Sequence, residues 1–346
     1  GVQPFDGKGQ GKAALFNFPS QERNDLVMAA DHQIPVLAVV GPTASGKTAL
    51  AVKLAKALGG EVIGADSMQV YQGMEIATAA PTMAEREGVH HHLIGILQPE
   101  ERFSVAAYVA RAQACIAEIR ARGSLPILAG GTGLYIDTLL DHIELIDAPA
   151  SPETRAALYR RAEQEGAEAL WAQLEQIDPE TAKQLHPANL GRVIRALELY
   201  ETTGVTMSEQ RERSRRGPSP YAPFYLGLDF RDRQRLYDRI NRRVDQMVSD
   251  GLLEEAQRFL ERDPDGTGAQ AIGYKELKPY FFGEMALEEA LENLKRATRR
   301  YAKRQLTWFR RNERVHWLCW EDYDTPGALY GEACRLVQES DWGRIR

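Results

Sequence analysis

The sequence predicts an α/β fold, a parallel sheet flanked by helices, interrupted by an all-helical insertion. Three observations lead to this reading. An apolar run, Ile34-Pro35-Val36-Leu37-Ala38-Val39-Val40, breaks into a glycine-bounded loop and continues as a helix from Ala49. Two further short apolar runs, Gly60 to Asp66 and Leu125 to Ala129, end in residues suited to the edge of an open sheet. From about Leu145 the strands stop and short helical patterns take over, until Phe224-Tyr225-Leu226-Gly227-Leu228-Asp229 resumes the α/β alternation.

Residues 1–33 precede the first strand and are polar, without a sustained period, so they are read as a tag remnant or disordered extension. Met28 is a candidate natural start. The loop itself, Gly41-Pro42-Thr43-Ala44-Ser45-Gly46-Lys47-Thr48, fits G-x-x-x-x-G-K-[ST] at every position. Such a loop turns successive backbone N–H groups toward an anion, and the following helix adds its positive end. Lys47 brings a point charge to the outer phosphates and the Thr48 hydroxyl is placed to ligate Mg²⁺. The core is therefore expected to be P-loop NTPase-like, made of residues 34–144 and 221–335.

Asp66 ends the second strand, so its carboxylate is expected in the same crevice as the loop. Three roles are open to it: a Mg²⁺-associated carboxylate, a general base aimed at a second substrate, or the N-cap of a following helix. His90-His91-His92 suggests a metal, but neighbours in an extended segment point to opposite faces, so all three cannot chelate one ion. Val105 to Ile119 is an amphipathic helix stopped by Gly123. The next strand ends in Gly130-Gly131-Thr132, where an ordinary ATPase would place an Asp. The glycines admit a close approach, and Thr132 offers a neutral hydroxyl or merely caps the turn.

Residues 145–220 form the helical insertion domain, with helices expected at Pro152–Gln164, Ala167–Leu174, Pro179–Leu185 and Leu190–Thr203. Arg155, Arg192 and Arg195 lie on them. A helix from Arg233 to Met247 carries Arg239 and Arg243 beside its apolar stripe, and forked guanidiniums suit diphosphate oxygens or surface ion pairs. Finally, from Lys295 to Arg314 nine Lys or Arg residues face one acidic residue, Glu313, with Tyr301, Trp308 and Phe309 interleaved. Basic charge with aromatics and no strong apolar face suits structured RNA better than a lipid surface.

The net charge of −6 means that an anionic partner must be met by a local basic surface. Cys115, Cys319 and Cys334 have neither zinc-like nor disulfide-framework spacing, which fits a reducing cytoplasm. No apolar run is long enough to span a bilayer, so no membrane partner is expected. Nothing requires an oligomer, and a monomer is the simplest expectation.

Together these residues closely resemble the tRNA dimethylallyltransferases of bacterial type. The likeness runs from about Pro35 to Trp320 through Gly41 to Thr48, Asp66-Ser67-Met68-Gln69-Val70-Tyr71, His91-His92-Leu93-Ile94, Gly130 to Tyr135, Gln270 to Leu277 and Lys303 to Arg310. It implies transfer of a dimethylallyl group from dimethylallyl diphosphate to N6 of the adenosine 3′ of the anticodon, aided by Mg²⁺. By resemblance, Asp66 is the general base, Thr132 orients the reacting centre, and Arg243 and Arg239 join the loop (Gly41, Thr43, Ala44, Ser45, Gly46, Lys47, Thr48) in holding diphosphate. Ser67, Met68 and Gln69 line the pocket for a flipped adenine. Arg155, Arg192 and Arg195, with Gln270, Gly273, Lys275, Lys303, Arg304 and Gln305, contact the tRNA anticodon stem-loop.

Where the family commonly has a Gly and a Lys, this chain has Ala77 and Ala80, so one contact to RNA or diphosphate is expected to be missing. The resemblance to the bacterial type implies that the C-terminal zinc-finger extension of eukaryotic members is not expected. Gly130 and Gly131 are expected to leave a passage beside the loop, letting diphosphate enter after tRNA has docked. Rival readings are an adenylate isopentenyltransferase, a small-molecule P-loop kinase and a non-catalytic RNA-binding protein. The first two leave the basic helix unexplained, and the third leaves Lys47, Thr48, Asp66, Thr132 and Arg243 without a use.

Overall fold

The computed structural model describes residues 33–143, 151–214, 218–262, 268–340 and 342. The expected N-terminal extension lies outside the described residues apart from Gln33, as do residues 145–150 and 215–217 of the insertion. Strands β1 (Ile34–Val40), β2 (Gly60–Gly64), β3 (His91–His92), β4 (Leu125–Ala129), β5 (Tyr221–Asp229) and β6 (Val315–Cys319) make one sheet in the order β3-β2-β4-β1-β5-β6. Every neighbouring pair is parallel. β1 therefore lies between β4 and β5, and the chain leaves it at the topological switch point where open α/β sheets bind ligands.

Before the insertion the helices are α1 (Lys47–Leu58), α2 (Met83–Arg86), α3 (Val105–Ala121) and α4 (Gly133–Leu140). The central strand has no polar side, since Val36 to Val40 are fully buried, as a parallel strand covered on both faces requires. Leu37 and Val39 pack with Leu50, Leu54 and Leu58 of α1. Val36, Ala38 and Val40 pack with Tyr108, Ala112 and Ile116 of α3 and Ile136 of α4.

Between α4 and β5 stand α5 (Pro152–Glu165), α6 (Ala167–Ile177), α7 (Pro179–Gln184), α8 (Leu190–Thr203) and α9 (Met207–Ser214). They enclose a core of their own around Leu158, Leu170, Leu174, Val193 and Leu197. After β5 come α10 (Arg233–Ser249), α11 (Leu252–Arg262), α12 (Tyr274–Phe281), α13 (Leu287–Phe309) and α14 (Pro326–Glu339). Residues from α10 to α13 bury Val70 and Met74 in a third core, which fixes the segment after Asp66 above the sheet's C-terminal edge. No described helix is long and apolar enough to cross a membrane.

Candidate active site

The glycine-bounded loop delivers the α1 N-terminus uncapped. Gly46 takes a left-handed φ of 95°, no side chain caps the helix, and its first turn has no acidic residue. Its free N–H groups and dipole are thus available to an anion. Lys47 Nζ donates to the Pro42 carbonyl at 2.6 Å. Burial, then the neighbouring Arg243 guanidinium, pull Lys47 down to about 7, against a smaller opposing effect of Asp66. An anion entering the loop restores the charged ammonium. Diphosphate binding at pH 8 is therefore expected to take up close to one proton, because free Lys47 is mostly neutral above its pKa and charged when bound. Calorimetry in two buffers of different ionisation enthalpy measures this, and zero uptake would remove Lys47 titration from binding.

Several longer side chains hold the loop in place. The Thr43 N–H donates to Gln305 Oε1 at 2.8 Å, and Arg243 donates to the Thr43 hydroxyl at 3.4 Å. Arg239 donates from Nε to the Ala44 carbonyl at 2.9 Å, its guanidinium lying 5.6 Å from the Phe230 ring and 5.7 Å from the Trp320 ring. Trp320 Nε1 donates to the Ser45 carbonyl at 2.8 Å. Arg239 lines the cavity, but one of its nitrogens is committed to the loop itself.

At the ends of β2 and β4 the open readings of Asp66 and Thr132 narrow. No helix follows Asp66 directly; its Oδ1 accepts the N–H groups of Met68 at 2.9 Å and Gln69 at 3.4 Å, while Oδ2 has no partner among the described residues. Thr132 precedes α4 but makes no side-chain cap bond. Its hydroxyl instead accepts the Ser67 N–H at 3.0 Å, so the two strand ends are tied together. The Tyr301 phenol lies near Thr132 and Gln305, and burial raises its pKa.

Two expectations need correction. A Cβ on Gly130 would stand 2.1 Å from the Ala65 carbonyl oxygen, and one on Gly131 would stand 1.9 Å from Gln305 Nε2. The space a side chain would take at these glycines is filled by protein although both line the cavity, so a passage beside the loop does not run through the room left by their missing side chains. Gln305, expected at the tRNA surface, is 5% exposed. Its Nε2 donates to the Gly131 carbonyl at 3.1 Å while Oε1 serves Thr43, which makes it a strut between the two loops.

A cavity of ≈ 710 Å³ opens over this edge, lined by Thr43, Ala44, Gly46, Lys47, Thr48, Asp66, Ser67, Met68, Gln69, Arg239, Arg243, Gln270, Gly273 and Arg304, among others. Gly41 and Ser45 are buried behind it. Gln69 holds the far wall, donating to the Thr78 and Ala79 carbonyls at 3.0 and 3.1 Å. Lys275, Lys303 and Arg192 are exposed outside the cavity. Arg155 and Arg195 converge on buried Glu198 at 2.7 and 3.0 Å, which gives both a structural partner inside the insertion. The basic helix is less free than its composition suggests, for Lys295 pairs with Asp245 and Arg310 with Asp229.

Tyr301 and Trp320 join the site although their sequence context does not mark them as site residues. Leu294, Thr298, Tyr301 and Gln305 all line the cavity, a stripe at helical spacing that could have marked this face of α13. Trp320 follows β6, a strand whose short run gave no such signal.

The oxygen donors fit a hard cation: the Thr48 hydroxyl has no hydrogen-bond partner among the described residues and shares the cavity with Asp66.

Residues 69–312 match the family model for IPP transferase, and residues 34–101 that for isopentenyl transferase. The chain is 46% identical over 299 residues to the tRNA dimethylallyltransferase of Caldanaerobacter subterraneus subsp. tengcongensis, covering 86% of this chain and 95% of the relative. It is 50% identical over 290 residues to that of Halalkalibacterium halodurans, covering 84% and 92%. Among solved structures it is similar to the Bacillus halodurans tRNA isopentenylpyrophosphate transferase, with TM-score 0.67, 46% identity, and 90% and 97% coverage. A eukaryotic dimethylallyltransferase acting on tRNA superposes with TM-score 0.74 at 28% identity, over 89% of this chain and 78% of the other.

Proposed function

The chain belongs to the tRNA dimethylallyltransferase family, and we propose that its cavity transfers a dimethylallyl group from dimethylallyl diphosphate to N6 of the adenosine 3′ of the anticodon in tRNA. The observation that carries this is the joining, in one cavity, of an anion end and a proton-accepting end. The uncapped α1 N-terminus, Lys47 and Arg243 form the first. Asp66, which lines the same cavity with its Oδ2 free of hydrogen bonds among the described residues and whose neighbour Ser67 is tied to the Thr132 hydroxyl, forms the second.

The N6 lone pair forms a bond to the allylic C1 as the bond from C1 to the diphosphate oxygen breaks. The departing diphosphate keeps that electron pair, and the N6 proton passes to Asp66 Oδ2. Such a displacement needs alignment and charge neutralisation at the leaving group more than covalent catalysis. Lys47, Arg243 and the loop N–H groups meet that charge, and Mg²⁺ held at Thr48 would supply the remainder. The adenine must leave its stack to reach Asp66, and Ser67, Met68 and Gln69 form the wall it would meet. The anticodon stem-loop then lies across Lys303, Arg304 and the insertion, with a single chain sufficient and the cytoplasm, where tRNA resides, as the compartment.

The deciding experiment offers labelled dimethylallyl diphosphate in parallel with total tRNA, free AMP and ATP. Label is expected in tRNA alone; label in AMP or ATP would point instead to a free-nucleotide prenyltransferase. Neutralising Lys303 and Arg304 together is expected to weaken tRNA binding and to reduce its salt slope by about 0.7–0.9 for each phosphate that the two side chains neutralise, leaving diphosphate affinity unchanged. An identical slope in the double variant would show that these side chains are only solvated.

A further inference from the structure

Away from the cavity, the three consecutive histidines fall where extended geometry sends them. β3 pairs with β2 in the register Val62 with His91 and Ile63 with His92, so His90 and His92 share the face of Glu61 and Ile63. Ile63 packs against α3 on that face. His91 turns the other way and its Nδ1 lies 2.9 Å from the Val89 carbonyl.

His92 Nε2 lies 2.8 Å and His90 Nδ1 3.4 Å from the same Glu61 oxygen, Oε2. The two imidazole rings stack at 4.2 Å, and the three donor atoms all lie within 4.8 Å of one another. We propose that Glu61, His90 and His92 form a zinc site that pins the edge strand β3 to β2.

The donor set selects the metal. Two imidazoles and a carboxylate suit Zn²⁺, whereas Mg²⁺ and Ca²⁺ take oxygens. Bonds of about 2.0–2.2 Å in a tetrahedron put donors about 3.4 Å apart. The His90 nitrogen already has that spacing from Glu61, the His92 nitrogen stands about 0.6 Å inside it, and the exposed His90 ring must turn out of its stack on His92 for both lone pairs to meet one ion. His90 is well exposed, with 66% of its side chain open, so water has access to a fourth position.

Arg122 holds Glu61 from the other side, Nε to Oε1 at 3.0 Å and a terminal nitrogen to Oε2 at 2.9 Å. With zinc on Oε2 it would remain the outer partner of Oε1, the arrangement that orients carboxylate ligands elsewhere. The site lies five residues, about 16 Å of extended strand, from Asp66, which makes its role structural. The chain after β3 returns to the nucleobase wall, where the N–H of Gly95 donates to Gln69 and that of Ile96 to Val70.

The test uses the full chain, stripped with EDTA and dialysed. Zinc chloride is titrated calorimetrically and cobalt chloride by visible absorption, with thermal unfolding followed at each zinc concentration. One equivalent of zinc is expected to bind and raise the unfolding temperature, and cobalt to give a four-coordinate spectrum without thiolate bands. His90→Ala, at an exposed position, is expected to weaken binding by at least about tenfold through loss of one of three protein ligands. His91→Ala should bind as the unaltered chain does. Equal loss in both variants, thiolate bands, or no binding at millimolar zinc would overturn the proposal.

Discussion

Replacing Asp66 by Asn is expected to leave dimethylallyl diphosphate binding within a few-fold and to lower the single-turnover rate by about 10²–10⁴, the usual contribution of a general base. The substitution is well matched to the site. Oδ1 accepts the Met68 and Gln69 N–H groups, and an amide oxygen can keep both bonds, so the turn that shapes the nucleobase wall survives. Only the basic character of the second position changes. One coupled effect follows from the charges: Asp66 raises the Lys47 pKa, so the variant's Lys47 will be neutral at a slightly lower pH. Binding should accordingly be compared at or below pH 7, where Lys47 is protonated in more of both proteins. A wild-type single-turnover rate under saturating diphosphate and tRNA would exclude Asp66 as the proton acceptor.

The parts of this site legible from sequence are those whose chemistry depends on neighbours in the chain. The loop from Gly41 to Thr48 determines its own backbone and the start of α1, so its role could be read locally. Asp66 and Thr132 could each be placed at a strand end, because strand direction and sheet edge follow from the α/β alternation. Their coupling could not be read, since it depends on the Ser67 N–H reaching Thr132 across two parallel strands. Gln305 shows the same limit more sharply. In sequence it sits in a basic run, beside Lys303 and Arg304, and shares their assignment to RNA. In the fold it is one helical step round from them, on the stripe of α13 that faces the loop, and its amide is spent on Thr43 and Gly131. Composition gives the charge of a helix, whereas the packing of its neighbours decides which face carries it.

The histidine run illustrates the converse. Alternation correctly forbids three adjacent ligands, yet it also puts the first and third on one face. What could not be seen was Glu61, a residue that reaches them only through the β2 and β3 register.

Gly130→Ala, adding a single methyl group, is expected to reduce turnover by about 10² while leaving a folded protein destabilised by about 1–3 kcal/mol. The reason is that the methyl meets backbone, not a side chain that could swing away. Its carbon would lie 2.1 Å from the Ala65 oxygen, 2.4 Å from the Ala65 carbonyl carbon and 2.8 Å from its Cα. Ala65 immediately precedes Asp66, and its carbonyl accepts the Thr132 N–H at 3.0 Å. Moving that carbonyl by the ångström or so needed for contact distance therefore displaces both groups of the proton-accepting end together. The loop's anion end is also held from elsewhere, by Arg239 and Trp320, so diphosphate affinity should change less than the rate. Thermal unfolding, calorimetric diphosphate binding and single-turnover prenylation of tRNA separate these effects. A stable variant with the unaltered rate would mean that the ends of β2 and β4 tolerate an ångström of separation, and that the tie between Ser67 and Thr132 does not set the reacting geometry.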